Sequence, residues 1–118
     1  MNDGITDFTR DILRIIRSIP KGRVLTYGLI ARWVGAPRAA RQVSRALHSM
    51  TEKYDLPWHR VINSKGTISL PSLEGKEEQK RLLEEEGVTV SDGYEVDLNE
   101  FLWDIDSSDF EDLEDPGF

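Results

Sequence analysis

The segment TYGLIARWVGAPRAARQVSRALHSM, residues 26–50, contains the start and stop signals of two short helices in succession. Thr26 is a residue type that caps a helix start, and Gly35 is a type that ends one. Pro37 suits the first position of the following helix, because its missing N–H is not needed there. Two short helices joined by a tight turn around Gly35 predict a helix-turn-helix.

The second of these helices has two chemically different faces. Its apolar positions recur at intervals of three, four and three residues: Ala40, Val43, Leu47 and Met50. A basic set repeats the same intervals two positions earlier, roughly 200° around the helix. The basic residues are Arg38, Arg41, Arg45 and His48. Such a stripe opposite an apolar face indicates an anionic partner.

Helical and turn signals extend on both sides of the helix-turn-helix. Apolar residues at helical spacing predict an amphipathic helix over 6–19, and a charged stretch predicts another helix over 76–86. Short runs of β-branched residues flank turn-forming residues in 61–68 and in 88–96, which predicts two small hairpins. Asn99 is expected to cap a last helical turn. The predicted fold class is therefore mainly α with small β-hairpins, a helix-turn-helix domain of winged-helix type.

Charge is distributed unevenly along the chain. The net charge is -7 overall, yet residues 1–65 carry a net +7 and residues 66–118 a net -14. We predict one DNA-binding domain over 1–103 and an acidic, disordered tail over 104–118, which has seven acidic side chains and no basic one. The tail is expected to be solvated, to compete with an anionic ligand for the basic face or to bind a protein partner.

Composition excludes several classes of function. The chain has no cysteine, which rules out disulfides, thiolate metal sites and cysteine nucleophiles. Its two histidines are too few for an all-histidine metal site, so we expect no metal and no cofactor. No apolar stretch approaches the ~20 residues needed to span a bilayer. With no secretory signal at Met1–Gly4, the expectation is a cytoplasmic monomer without a membrane partner.

Residues 57–62 read Pro-Trp-His-Arg-Val-Ile and resemble the Pro-Cys-His-Arg-Val motif of the O6-alkylguanine-DNA alkyltransferases, with Trp58 at the cysteine position. Three more segments resemble the family in order and approximate spacing: Gly22–Gly28, Ala39–Val43 and Glu84–Val88. Tryptophan at this position is typical of the alkyltransferase-like proteins. These bind alkylated DNA without transferring the alkyl group and are linked to nucleotide excision repair. The resemblance implies double-stranded DNA containing O6-alkylguanine and nucleotide excision repair proteins as partners.

The tryptophan has a direct chemical consequence. Alkyl transfer from guanine O6 needs a strong nucleophile such as a thiolate. In the enzymes the next histidine relays a proton from that thiol, whereas an indole offers only an N–H donor and a π face. The sequence therefore predicts a protein that is not an enzyme and has no catalytic residue. Two alternatives stay open: an alkyltransferase with a Glu or Tyr acceptor, and a sequence-specific transcription regulator.

The resemblance also assigns roles to residues. Tyr27 is expected to crowd a backbone phosphate and help rotate the nucleotide out, while Arg41 fills the vacated space in the base stack. The expected lesion pocket consists of Tyr27, Trp58, His59, Arg60, Ser69 and Ser72. The expected DNA-binding residues are Thr26, Arg38, Ala40, Arg41, Gln42, Arg45, Ser64 and Lys65. The family docks this helix in the minor groove, where base identity is read poorly.

Two parts of the site depart from simple expectation. His59 and Arg60 have no thiol to activate, so we expect them to tie the pocket strand to polar neighbours. The loop at 69–73 lacks the Gly/Tyr-rich or basic residues found in relatives. The lip of the pocket is therefore expected to be more apolar.

Overall fold

The computed structural model describes residues 6–105, and the expected acidic tail lies outside these residues from Asp106 onward. The first helix, α1, spans Asp7–Ser18. The Thr6 hydroxyl caps it by accepting a hydrogen bond from the Thr9 N–H at 3.1 Å. Its inner face buries Ile12, Leu13, Ile15 and Ile16, so the predicted amphipathic helix is confirmed.

The helix-turn-helix is present and begins as predicted. A two-residue strand, β1 (Leu25–Thr26), leads into α2 (Tyr27–Trp33). The Thr26 side chain accepts from the Leu29 N–H at 3.1 Å. The helix ends with Gly35 at φ +81° and with the Ala36 N–H bonded to the Ala31 carbonyl at 2.9 Å. This six-to-one bond around a left-handed glycine is a Schellman motif, which turns the chain sharply toward the next helix.

The second helix of the motif, α3, begins later than predicted. It spans Ala40–Tyr54, so Pro37 does not occupy its first position. Instead Pro37 lies in a turn closed by the Ala39 N–H and the Ala36 carbonyl at 2.8 Å, where proline's fixed φ is favourable. Arg38 consequently precedes the helix, and the basic stripe on α3 itself consists of Arg41, Arg45 and His48.

The strand pairing differs from the predicted hairpins. After a 3₁₀ turn at Trp58–Arg60, strand β2 (Val61–Ile62) pairs in parallel with β1, Leu25 opposite Val61. Parallel strands need a long crossover connection, and α2 and α3 supply it. Residues 63–66 do form a turn, with the Gly66 N–H bonded to the Asn63 carbonyl at 3.0 Å, but Thr67 pairs antiparallel with Glu95.

The predicted hairpin over 88–96 likewise forms only its turn. The Tyr94 N–H bonds to the Ser91 carbonyl at 2.9 Å, and the Ile68 N–H bonds to the Tyr94 carbonyl at 2.9 Å. The partner of this segment is therefore the chain around Ile68. Val88 and Val90 instead point into the core, because their burial decides their position more strongly than the local turn does.

The last two helices are capped by residues earlier than those expected. Helix α4 spans Leu73–Glu85, and the Ser72 hydroxyl accepts from the Gly75 N–H at 3.0 Å. Helix α5 spans Leu98–Phe101 and is capped by Asp97 rather than Asn99.

The core has two adjoining parts. One is formed by α1, α2 and α3 with Leu56 and Val61, and the other by Val24, Ile62, Leu83 and the segments after α4. Trp58 and Tyr27 pack, partly buried, at the rim of the first part. None of the helices within residues 6–105 is long and apolar enough to cross a membrane.

Candidate functional site

The 3₁₀ turn that carries Trp58 is held by hydrogen bonds from Gln79 of α4. The Gln79 side chain is 3% exposed, and its amide nitrogen donates to the carbonyls of His59 and Val61, each at 3.1 Å. A buried amide that satisfies two carbonyls holds the backbone of the turn in one conformation. The backbone that carries Trp58 is therefore held in place.

A second set of bonds holds the turn through Glu86 at the end of α4. Arg60 makes a two-pronged ion pair with this carboxylate, at 3.0 Å from Nε and 2.7 Å from Nη2. His59 Nε2 lies 2.9 Å from the same carboxylate. Arg60 also donates to the Ile19 carbonyl at 2.7 Å, so the turn is tied to α4 and to the end of α1.

The chemistry of Glu86 reflects these partners. Partial burial raises the pKa of Glu86, but hydrogen bonds from Arg60 and His59 and their positive charge outweigh it and hold the pKa at about 2. The carboxylate is thus charged throughout the neutral range. His59 and Arg60 serve as ties to Glu86, which agrees with the structural role expected for them.

A pocket of about 470 Å³ opens between the α2 start, the α3 carboxyl-terminal half and the loop before α4. Tyr27 and Trp58 lie in its wall, with Leu70 and Pro71 from the loop. The full lining is Tyr27, Leu47, His48, Ser49, Thr51, Glu52, Trp58, Leu70, Pro71 and Ser72. A cavity with aromatic and aliphatic walls suits an aromatic ring that stacks or packs against them.

Tyr27 is the first residue of α2 and is half-buried. Burial raises the pKa of the Tyr27 phenol above its ordinary value. The hydroxyl therefore keeps its proton at neutral pH and can donate a hydrogen bond at the pocket wall.

The pocket adjoins the basic face of α3. His48 lines the pocket, and Arg41 and Arg45 lie seven and three residues before it on the same exposed face. Residues at these spacings lie along one side of a helix. A ligand that spans the basic stripe therefore reaches the mouth of the cavity.

The structure brings together only part of the expected pocket. Tyr27, Trp58 and Ser72 line it, with Ser72 also capping α4. His59 and Arg60 turn toward Glu86 instead, and Ser69 is exposed outside the lining. The sequence interpretation missed the residues that α3 contributes, which are Leu47, His48, Ser49, Thr51 and Glu52. Their helical spacing was the available signal. Leu70 and Pro71 belong to the loop that was expected to form an apolar lip.

The expected DNA-binding residues also separate into groups. Arg38, Arg41, Gln42 and Arg45 are exposed and Ala40 is partly exposed around the start of α3. Ser64 and Lys65 are exposed in the turn at 63–66, where Ser64 lies beside Gly28 of α2. Thr26 is 3% exposed and caps α2.

These features together define a helix-turn-helix domain with an aromatic pocket beside its basic second helix. The sequence profile described as "6-O-methylguanine DNA methyltransferase, DNA binding domain" matches residues 7–88. The chain therefore belongs to the family defined by this DNA-binding domain.

Individual relatives agree with this membership. The chain is 44% identical over 96 residues to the DNA base-flipping protein of Escherichia coli, covering 81% of this chain and 74% of that protein. It is 43% identical over 102 residues to Alkyltransferase-like protein 1 of Schizosaccharomyces pombe, covering 82% and 94%. The fold is similar to S. pombe Atl1 in complex with damaged DNA containing O6-carboxymethylguanine, with a TM-score of 0.77 and 41% identity. That match covers 89% of this chain and 100% of the other.

Proposed function

We propose that this protein recognises O6-alkylguanine in double-stranded DNA by rotating the damaged nucleotide out of the helix, from the minor groove, and holding it without alkyl transfer. The observation that carries the proposal is the continuity between the basic face of α3 and the pocket of Tyr27 and Trp58. The names of the E. coli and S. pombe relatives support it.

Capture is proposed to proceed through three groups. Arg38, Arg45 and the turn at 63–66 would hold phosphates, which supply affinity without sequence preference. Tyr27 at the α2 start would crowd a phosphate, and Arg41 would fill the vacated stack. Filling the gap offsets an unstacking cost on the order of a few kcal/mol.

The chemistry of the pocket wall argues against a transfer step. The Ser49 and Thr51 hydroxyls donate to helix carbonyls rather than to a base, and the phenol of Tyr27 has a raised pKa. A neutral hydroxyl whose proton is bonded to a backbone carbonyl is a weak nucleophile. Glu52 is the carboxylate among the described lining residues, and a carboxylate is a poor acceptor for an alkyl group bound to guanine O6.

The test compares matched duplexes with guanine and O6-methylguanine at one position, followed by mass spectrometry of the protein. We expect tighter binding to the lesion and an unchanged protein mass. A stoichiometric gain of one methylene group would establish a transfer enzyme. Equal affinity for both duplexes, combined with a strong dependence on base sequence, would establish a transcription regulator.

We also propose that the complex acts as a monomer in the cytoplasm and hands the lesion to nucleotide excision repair proteins. The pocket of Tyr27 and Trp58 can hold one extruded nucleotide, which supports a one-to-one complex. Analytical ultracentrifugation with labelled duplex tests the stoichiometry. Incision of a lesion duplex by purified excision repair proteins, with and without this protein, tests the transfer to repair.

A further inference from the structure

The lining of the pocket contains one carboxylate, that of Glu52 of α3, and one imidazole, that of His48. Among the described residues that line it, none is Lys or Arg. Glu52 is exposed, so its carboxylate is solvated. The remaining wall nearest the loop is apolar, formed by Leu70 and Pro71.

Glu52 and Trp58 belong to the same wall. Both line the pocket, and both also line an adjoining groove of about 550 Å³. Trp58 occupies the position where the resemblance places the acceptor of the alkyl group. A substituent on guanine O6 that enters the pocket beside Trp58 therefore shares this cavity with the Glu52 carboxylate.

The cations of the adjoining groove are engaged within the protein. Arg60 is paired with Glu86 and bonded to the Ile19 carbonyl, and Arg17 donates to the Tyr54 carbonyl. These bonds direct both guanidinium groups toward protein oxygens. Neither Arg17 nor Arg60 is among the described residues that line the pocket itself.

We propose that the pocket selects O6 substituents by charge, accepting uncharged alkyl groups and disfavouring those that carry a carboxylate, with Glu52 as the specificity-determining residue. The proposal rests on the proposed function, since it concerns the same pocket. Glu52 is exposed, so water screens its repulsion of a second carboxylate in the pocket, and a water-screened pair of close charges reduces affinity about three- to tenfold.

The experiment uses two lesions of nearly the same shape, O6-carboxymethylguanine and O6-carbamoylmethylguanine, which differ in charge. Dissociation constants are measured for both in one duplex sequence at low salt and at about pH 8, where imidazole groups are neutral. The full chain is expected to bind the carbamoylmethyl duplex about three to ten times more tightly. In Glu52→Gln this ratio falls toward one, and in Glu52→Lys it falls further.

Glu84 of α4 provides the matched control, because it is exposed and lies outside the pocket lining. Glu84→Gln and Glu84→Lys change the net charge equally and are expected to keep the ratio of the unmodified chain. Equal binding of the two lesions, or a ratio that Glu52→Gln leaves unchanged, would overturn the charge selection. If neither lesion binds more tightly than plain guanine, the proposed function itself fails, which is a separate result.

Discussion

Replacing Glu86 by glutamine removes one charge from the network that holds the Trp58 turn, and its effect can be worked out from the pKa of this group. Arg60 and His59 keep the Glu86 pKa at about 2, against an ordinary 4.5. At ~1.36 kcal/mol per pKa unit, this difference corresponds to about 3 kcal/mol of folding free energy. The Glu86 side chain is 12% exposed, so solvent screens the interaction only in part.

The pH dependence has a defined sign. Because the pKa of Glu86 is lower in the folded state, its contribution is fully present above the ordinary value of 4.5 and is lost as the pH falls toward about 2. Glu86→Gln is therefore expected to be less stable than the unmodified chain by about 2–4 kcal/mol at neutral pH. The gap should narrow steadily on acidification below about pH 5.

The assay is equilibrium urea unfolding followed by tryptophan fluorescence, repeated from neutral pH to about pH 3. Glu84→Gln serves as the control, since it removes an exposed carboxylate from the same helix. Its stability should follow that of the unmodified chain within ~0.5 kcal/mol. Parallel curves for Glu86→Gln and the unmodified chain across this pH range would refute the assigned role of the carboxylate.

Three further predictions concern DNA binding. Trp58→Ala should lower the ratio of the affinity for the lesion duplex to the affinity for the undamaged duplex, measured by fluorescence anisotropy. An unchanged ratio would show that Trp58 does not contribute to lesion recognition. Arg41→Ala should weaken lesion binding more than Arg10→Ala does, because Arg41, and not Arg10, is proposed to fill the base stack. Equal losses in the same titration would contradict that role. Deleting residues 104–118, which carry seven acidic side chains, should raise DNA affinity at about 20 mM salt. It should have little effect at about 300 mM salt, where the Debye length is short. An unchanged affinity at low salt would exclude electrostatic competition by the tail.

Local signals predicted the helices well because caps and periodicity act within a few residues. Thr26 begins α2 through one hydrogen bond to Leu29, and the left-handed Gly35 ends it. The start of α3 was misplaced because proline fits both a first helical position and the second position of a turn. The bond between Ala36 and Ala39 selects the turn, and this choice depends on how α2 ends.

The strands were harder to predict for a physical reason. A strand of two residues carries almost no pattern, so its partner is decided by what packs around it. Val61 and Ile62 pair with Leu25 and Thr26, which lie 36 residues earlier in the register. A local hairpin would have needed β-type pairing to Thr67 and Ile68, but that segment is held by Tyr94 and Glu95.

The residues of the pocket were also predicted in part, because some belong to a local motif and others are brought in by tertiary packing. Trp58 was found from its motif, whereas His59 and Arg60 were placed in the pocket with it because they are adjacent in sequence. A 3₁₀ turn has about three residues per turn, so consecutive side chains point ~120° apart. Trp58 consequently meets α3 while its two neighbours meet Glu86. Glu52 and Leu70 reach the pocket only through the packing of distant segments.

The bonds between His59, Arg60 and Glu86 explain how the backbone around Trp58 is held in one conformation. A nucleophile and a stacking ring need the same kind of backbone support, because each requires one side chain to be held at a fixed angle to the incoming base. Gln79 and Glu86 meet that demand by fixing the carbonyls and side chains on either side of Trp58. Loss of Glu86 should therefore weaken lesion discrimination even in conditions where the domain stays folded. Such a loss of discrimination in a folded variant would show that Glu86 positions the Trp58 turn in addition to stabilising the fold.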